Sequence, residues 1–207
     1  MISIRLKSYS RSPHRLTCMG SKTQIRNAVL ATSGVPCNGT YYRDEGVRNT
    51  LKAYSLGKRR LVRGDEPKCF YCESKGEAML PLEVEHYRPK ENVSTRDLPL
   101  GQIHPGYYWL GNEWSNLLLA CRACNGGGAK GTRFPIMNNG NRVVSGNPVD
   151  NQSRLNRRIC RLDLAPLLAE SPVILNPEFD TPEDHLTFNR RNFQIIQKNG
   201  SYKEKKQ

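Results

Sequence analysis

The sequence lacks any apolar run near 18 residues, so no membrane-spanning helix can be read in it. Asp and Glu are missing altogether from the first 43 positions. Apolar residues are scarce, 37% of 207, and mean hydropathy is −0.66. The core must therefore be modest. The phosphate-loop spacing GxxxxGK[ST] is also missing. Residues 126 to 132 hold the glycines without that spacing, which excludes nucleotide binding by such a loop. No secretory signal opens the sequence and no internal repeat is present. The seven cysteines are accordingly expected as thiols or metal thiolates in a reducing compartment, the cytoplasm.

Positive charge is abundant. Thirty-two Lys and Arg against 19 Asp and Glu give a net charge of +13. Such a surface attracts polyanions through counterion release, whatever their sequence. DNA is the expected partner, with RNA also open. Seven of the cations lie in the acid-free stretch 1–43, which reads as a basic N-terminal extension. It suits a mobile arm on nucleic acid, an organelle transit peptide or an ordinary surface extension. Residues 44–200 read as one domain with its core at 69–131, followed by a charged tail, 201–207.

Within the domain, Val47, Leu51 and Tyr54 predict a helix over 44–62. Asp44 and Glu45 fall in its first turn and Lys58, Arg59 and Arg60 in its last, as the helix dipole favours. Alternation over 80–87 predicts a strand ending near His86. Residues 91–107 read as a long loop, Leu117–Ala120 as a buried strand, and the stretch from 131 to Pro148 as irregular chain. A helix is expected from near Asp150 to before Pro166, and a hairpin or strand over 186–197.

The chemistry concentrates between Cys69 and Asn125. Two thiolates three positions apart can point at one ion, and two such knuckles complete a closed tetrahedral zinc site. Cys69, Cys72, Cys121 and Cys124 have that spacing. The 48 residues between the pairs imply a whole substructure inserted between knuckles. Inside it lies Glu85-His86. Imidazole suits a general base near neutral pH, and a carboxylate suits a hard divalent cation. Strict alternation would send these two side chains to opposite faces, so a strand end or bulge is needed if both are to meet one phosphate. Asn125 follows the second knuckle and could be a second metal ligand. Asn116 precedes the apolar strand and could orient the His86 ring. Arg88 and Lys130 are candidate phosphate contacts. Tyr107, Tyr108, Trp109 and Trp114 are read as packing beneath the site.

The ordered set CxxC, acid-His-x-x-Pro, Asn-Leu, CxxC-Asn resembles the HNH endonuclease superfamily. Cys69-Phe-Tyr-Cys72-Glu73, Glu85-His-Tyr-Arg-Pro-Lys90, Tyr107-Tyr-Trp-Leu110, Glu113-Trp-Ser-Asn-Leu117, Cys121-Arg-Ala-Cys-Asn125 and Phe134-Pro135 look like the HNH nucleases of Septu and retron-linked anti-phage systems. So do Ile174-Leu-Asn-Pro177 and the stretch from Asp180 to Phe188. The resemblance implies an α+β fold with a zinc-braced ββα-metal core, flanking helices and irregular loops. It implies His86 as general base, Asn116 as the residue that orients it, and Glu85 and Asn125 as ligands of Mg²⁺ or Mn²⁺. The four cysteines would hold structural Zn²⁺, and a partner ATPase would control the nuclease. Gly126-Gly-Gly128 departs from the pattern. Three glycines cost roughly 3 kcal/mol in a helix interior, so the helix carrying Asn125 is expected to be very short.

Overall fold

A computed structural model describes residues 12–30, 38–58, 60, 62–75, 81–126, 128–144, 161–192 and 195–198. The fold is α+β, built from short helices and two small antiparallel sheets. The expected helix over 150–166 and the charged tail lie almost wholly outside the described residues, as do Cys37 and Cys160.

Two helices precede the predicted domain start: α1 (His14–Thr17) and α2 (Met19–Leu30). Leu16 and Ile25 are buried with the rest of the core, and Tyr42 with them. The described part of 1–43 is thus packed structure rather than a mobile arm. Isolated apolar residues in a polar stretch carry little periodic signal, which is why the sequence hid this. The helix α2 packs against the turn at Tyr108–Leu110, where Asn112 Nδ2 donates to Gln24 Oε1 at 2.8 Å.

The next helix, α3 (Glu45–Ser55), begins one residue after the expected start, because Asp44 is its cap rather than part of its first turn. The Asp44 side chain accepts from Gly46 N, and Val47, Leu51 and Ala53 face the interior. It ends earlier than expected. Gly57 takes a φ of +66°, and the amides of Leu56, Gly57 and Lys58 cap the last carbonyls. Lys58 and Arg60 therefore lie beyond the helix. Arg48 Nη2 donates to Leu82 O at 2.6 Å and fixes α3 to the central hairpin.

That hairpin pairs β1 (Leu82–His86) with β2 (Leu117–Cys121), from Leu82 opposite Cys121 to His86 opposite Leu117. Every residue of β2 is buried. The connection from 87 to 116 is long but tied down. Tyr107 N donates to Pro89 O at 2.7 Å and Val93 N to His104 O at 3.2 Å. Gly106 has φ +83°, and a Cβ there would lie 2.5 Å from the Glu91 backbone, so only glycine fits this crossing. Tyr107, Tyr108, Trp109 and Trp114 are buried, as expected of packing residues, and Phe134 fills the core beside Tyr107.

After β2 comes a single helical turn, α4 (Arg122–Asn125), which ends at Gly126. The expected shortness of this helix is observed. The chain then doubles back, with Lys130 N donating to Cys124 O and Gly131 N to Asn125 O. Farther on lie α5 (Ala165–Leu168), α6 (Pro182–His185) and a second hairpin. Its strands, β3 (Leu186–Phe188) and β4 (Ile195–Gln197), fall where a hairpin was expected. Among the described residues, no helix is long and apolar enough to cross a membrane.

Candidate functional site

The first knuckle is a tight turn. Cys69 N donates to Ser74 O, Glu73 N donates to Cys69 O, and Glu73 adopts a φ of +61°. Phe70 N donates to Leu119 O at 2.8 Å, so the knuckle docks on β2. The second knuckle is the end of β2 plus α4, which turns Cys124 back toward Cys121. All four Sγ atoms lie within 4.8 Å of one another. Burial pushes the Cys72 thiol up, but the Ser74 hydroxyl and amide and the Cys69 and Cys124 sulfurs outweigh it and bring it down to about 7. Burial, then the neighbouring sulfurs, push Cys124 well up. Four crowded sulfurs of this kind are poorly matched to one another without a cation, and the donor set fits zinc.

At the far end of the same hairpin, strand alternation separates the two motif residues. Glu83 and Glu85 share one face. Glu85 is buried and forms an ion pair with Lys130, whose ammonium also donates to His86 O at 2.8 Å and Gly131 O at 3.3 Å. Burial pushes the Glu85 carboxyl up and the Lys130 ammonium down, and each draws the other back toward its charged form. Lys130 is 8% exposed and so does not stand ready for a phosphate, as its sequence position had suggested. It occupies an oxygen-lined cation position instead. Asn125 is on this side too, but its Nδ2 donates to Glu83 Oε2 at 3.0 Å rather than meeting Glu85.

The His86 ring turns the other way. Its Nε2 lies 2.8 Å from Gly111 O, and the ring packs nearly perpendicular to that of Tyr42 with centroids 4.7 Å apart. A carbonyl can only accept, so Nε2 carries the proton and Nδ1 the lone pair. Burial brings the imidazole down to about 3, with Lys90, Lys130 and Arg43 adding to the shift against the Gly111 bond. It is neutral at ordinary pH. Arg43 and Lys90 both approach the Tyr42 ring, at 5.6 and 5.7 Å. Tyr42 and Arg43 were missed as neighbours of His86. No signal local to the His86 motif could have found them, because the chain brings them there from 44 and 43 residues away.

Two expected contacts change. Asn116 does not hydrogen-bond the His86 ring. Its Oδ1 accepts from Arg88 N at 2.8 Å, and its Nδ2 donates to Arg88 O at 3.0 Å and Leu110 O at 3.2 Å. It holds the backbone on both sides of the site, next to the Gly111 carbonyl that holds His86. Arg88, expected on a phosphate, is 2% exposed. Its guanidinium pairs with buried Glu170, donates to Leu167 O at 2.7 Å, and lies over the Phe134 and Tyr107 rings. Glu170 also accepts from Tyr107 Oη and Val143 N. A buried cation with such partners is an internal strut, and the residue that makes it one lies 82 positions away.

The geometry therefore defines an α+β protein with a four-cysteine cluster suited to zinc and a carboxylate and imidazole on one hairpin. The chain is related to the Septu protein PtuB of Bacillus mycoides (strain KBAB4). It is 35% identical to that protein over 147 residues, 71% of this chain and 40% of the relative. The chain thus spans well under half the length of the relative it matches. No family model matches the chain, and no solved structure does.

Proposed function

We propose that this chain is the nuclease component of an anti-phage defence system of the Septu kind. On this reading it is a metal-dependent HNH endonuclease that hydrolyses phosphodiester bonds in DNA and is controlled by a partner ATPase. The relationship to PtuB supports the defence role and the partner. The observation that carries the catalytic reading is the buried neutral His86, held through Nε2 by Gly111 with cations beside it.

In this mechanism Cys69, Cys72, Cys121 and Cys124 hold zinc and brace the hairpin. Glu85 and Asn125 would hold Mg²⁺ or Mn²⁺. Because alternation sets Glu85 and His86 on opposite faces, this requires Glu85 to leave Lys130 and Asn125 to leave Glu83, so that both reach the phosphate His86 faces. The ammonium of Lys130 among three oxygens marks that region as able to hold a cation. A divalent ion bound there would supply charge neutralisation at the phosphate and leaving oxygen. The remaining work falls to the chain. His86 Nδ1 takes the proton of the attacking water, and the Gly111 carbonyl keeps the ring in the required tautomer. Arg43 and Lys90 bind phosphate oxygens. Asn116 acts as a positioning residue through Arg88 and Leu110.

The test is cleavage of plasmid DNA by the purified chain, with its partner present, in Mg²⁺ or Mn²⁺. His86→Ala is expected to lower the rate by about 10²–10⁴-fold, the usual worth of a positioned base. Equal cutting by His86→Ala would remove His86 from the mechanism. DNA binding without cleavage by the wild type would leave a non-catalytic zinc module. Cleavage of RNA alone would make it an RNA-directed nuclease.

A further inference from the structure

The base of the proposed mechanism is shut away from solvent. His86 is 6% exposed, too little for a phosphodiester to reach the ring. Tyr42, itself 3% exposed, packs directly against it, nearly perpendicular and with centroids 4.7 Å apart. Tyr42 belongs neither to the hairpin nor to a regular helix. It sits in the turn 38–44 between α2 and α3, where Arg43 N donates to Gly39 O at 3.0 Å and Asp44 N to Tyr41 O at 3.3 Å.

The surroundings of that ring are informative. The guanidinium of Arg43 lies 5.6 Å from its centroid and the ammonium of Lys90 5.7 Å. These are the two cations that bind phosphate oxygens in the proposed mechanism. An aromatic face carries partial negative charge and draws cations as a weak substitute for an anion. Tyr42 thus holds the place beside both cations and His86 that a phosphate group needs. Outside the site, the turn is held by polar contacts at the surface. Gln24 Nε2 donates to Asn38 Oδ1 at 2.6 Å, and Arg15 pairs with Asp44 at 3.5 Å, with side chains 49% and 34% exposed. Tyr41 packs on α2, where a Cβ at Gly20 would collide with its hydroxyl, and Arg15 lies over its ring at 5.2 Å. An exposed ion pair is weak, so the buried Tyr42 ring is the main hold on the closed turn.

We infer that Tyr42 is an autoinhibitory plug: its ring occupies the place of the scissile phosphate, and DNA is cut only after the turn 38–44 loosens and the ring leaves. This inference rests on the nuclease reading of His86 and names how that site is regulated. Loosening exposes the imidazole and, in the same step, frees Arg43 and Lys90 to exchange an aromatic face for phosphate oxygens. While the closed form dominates, apparent affinity and rate fall by the fraction that is open.

The probe is diethyl pyrocarbonate, which acylates accessible imidazoles, applied to the full zinc-loaded chain and read by peptide mass mapping. His14 is exposed and His104 buried, so they serve as fast and slow internal references. His86 of the wild type should react as slowly as His104. Tyr42→Ala should speed His86 by at least about tenfold, the scale on which an open state of 10% or less becomes dominant, and leave His104 slow. Its cleavage of plasmid DNA without the partner should rise in parallel. Gly20→Ala displaces Tyr41 without touching the site and should act in the same direction more weakly. Tyr42→Phe keeps the ring and should stay closed. Wild-type His86 as reactive as His14, no acceleration in either Tyr42→Ala or Gly20→Ala, or equal acceleration of His86 and His104 would overturn the plug. So would an exposed His86 in Tyr42→Ala with no gain in cleavage. Those outcomes are distinct from equal cutting by His86→Ala, which rejects the base itself.

Discussion

The two ends of the central hairpin solve the problem of buried charge in opposite ways. At the Cys121 end, four sulfurs converge, two of them buried, and no Lys or Arg among the described residues donates to them. At the His86 end, the buried Glu85 carboxylate already holds the ammonium of Lys130. Four residues of strand, about 13 Å, separate the two. On the proposed reading, the first end takes its cation from outside. The second folds on Lys130 and would take up a metal afterwards, by exchanging one cation for another. The hairpin would then separate structural from catalytic use of metal.

The sharpest way to break this contrast is to remove the sulfur site. Structural zinc contributes about 10–16 kcal/mol of apparent folding free energy in small domains. Cys69→Ser, or treatment with a strong chelator, should release zinc and abolish cooperative unfolding in a thermal melt monitored by circular dichroism. Absence of zinc from the wild type by elemental analysis would end the comparison.

The opposite end is tested by Lys130→Met. This leaves Glu85 buried and unpaired, which costs about 3–5 kcal/mol. Added Mn²⁺ should restore much of the lost melting temperature in Lys130→Met and change the wild type little. A variant as stable as the wild type, or one indifferent to Mn²⁺, would show that this region is not a cation position. Arg88→Met probes a strut outside both sites. It should cost a similar amount through Glu170, with no recovery on adding either metal, as read by urea denaturation.

The smallest effect is expected from pH. His104 uses both ring nitrogens, accepting from Gly106 N and lying 2.9 Å from Val143 O. Burial holds its folded pKa below the ordinary 6.5. The unfolded chain therefore binds the proton first as pH falls. The stability tied to neutral His104 is present above about pH 6.5 and lost below it, at no more than about 1.4 kcal/mol per pH unit. His86, brought down to about 3, adds a larger loss over the same range, so His104→Gln should remove only the smaller part of that acid limb of the melting temperature profile.

What could be read from sequence follows the range of the interaction. The cysteine spacing, the apolar run Leu117–Ala120 and the acidic pair Asp44-Glu45 are local patterns, and the structure has the knuckles, β2 and the start of α3 there. The end of α3 was overrun because charge placement suggested a longer helix, and Gly57 ended it first. Arg88 and Lys130 looked like phosphate ligands because they flank the motif in sequence. Their partners, Glu170 and Glu85, are reached only after the chain folds back, and spacing cannot register that. Leu16 and Ile25 were invisible for the same reason: their burial is decided by the turn at Tyr108–Leu110 and by α3.

The docking of the first knuckle has a practical consequence. Phe70 covers the outer edge of β2 at Leu119, on the side away from β1. Beneath that cover lies Leu117-Leu-Leu-Ala-Cys121, an uncharged apolar strand with no proline. Without zinc the cover loosens and a ready template for strand addition faces solvent. Chelated preparations are therefore expected to form β-rich aggregates rather than refoldable monomers, so that zinc bound there would also guard the strand against self-association.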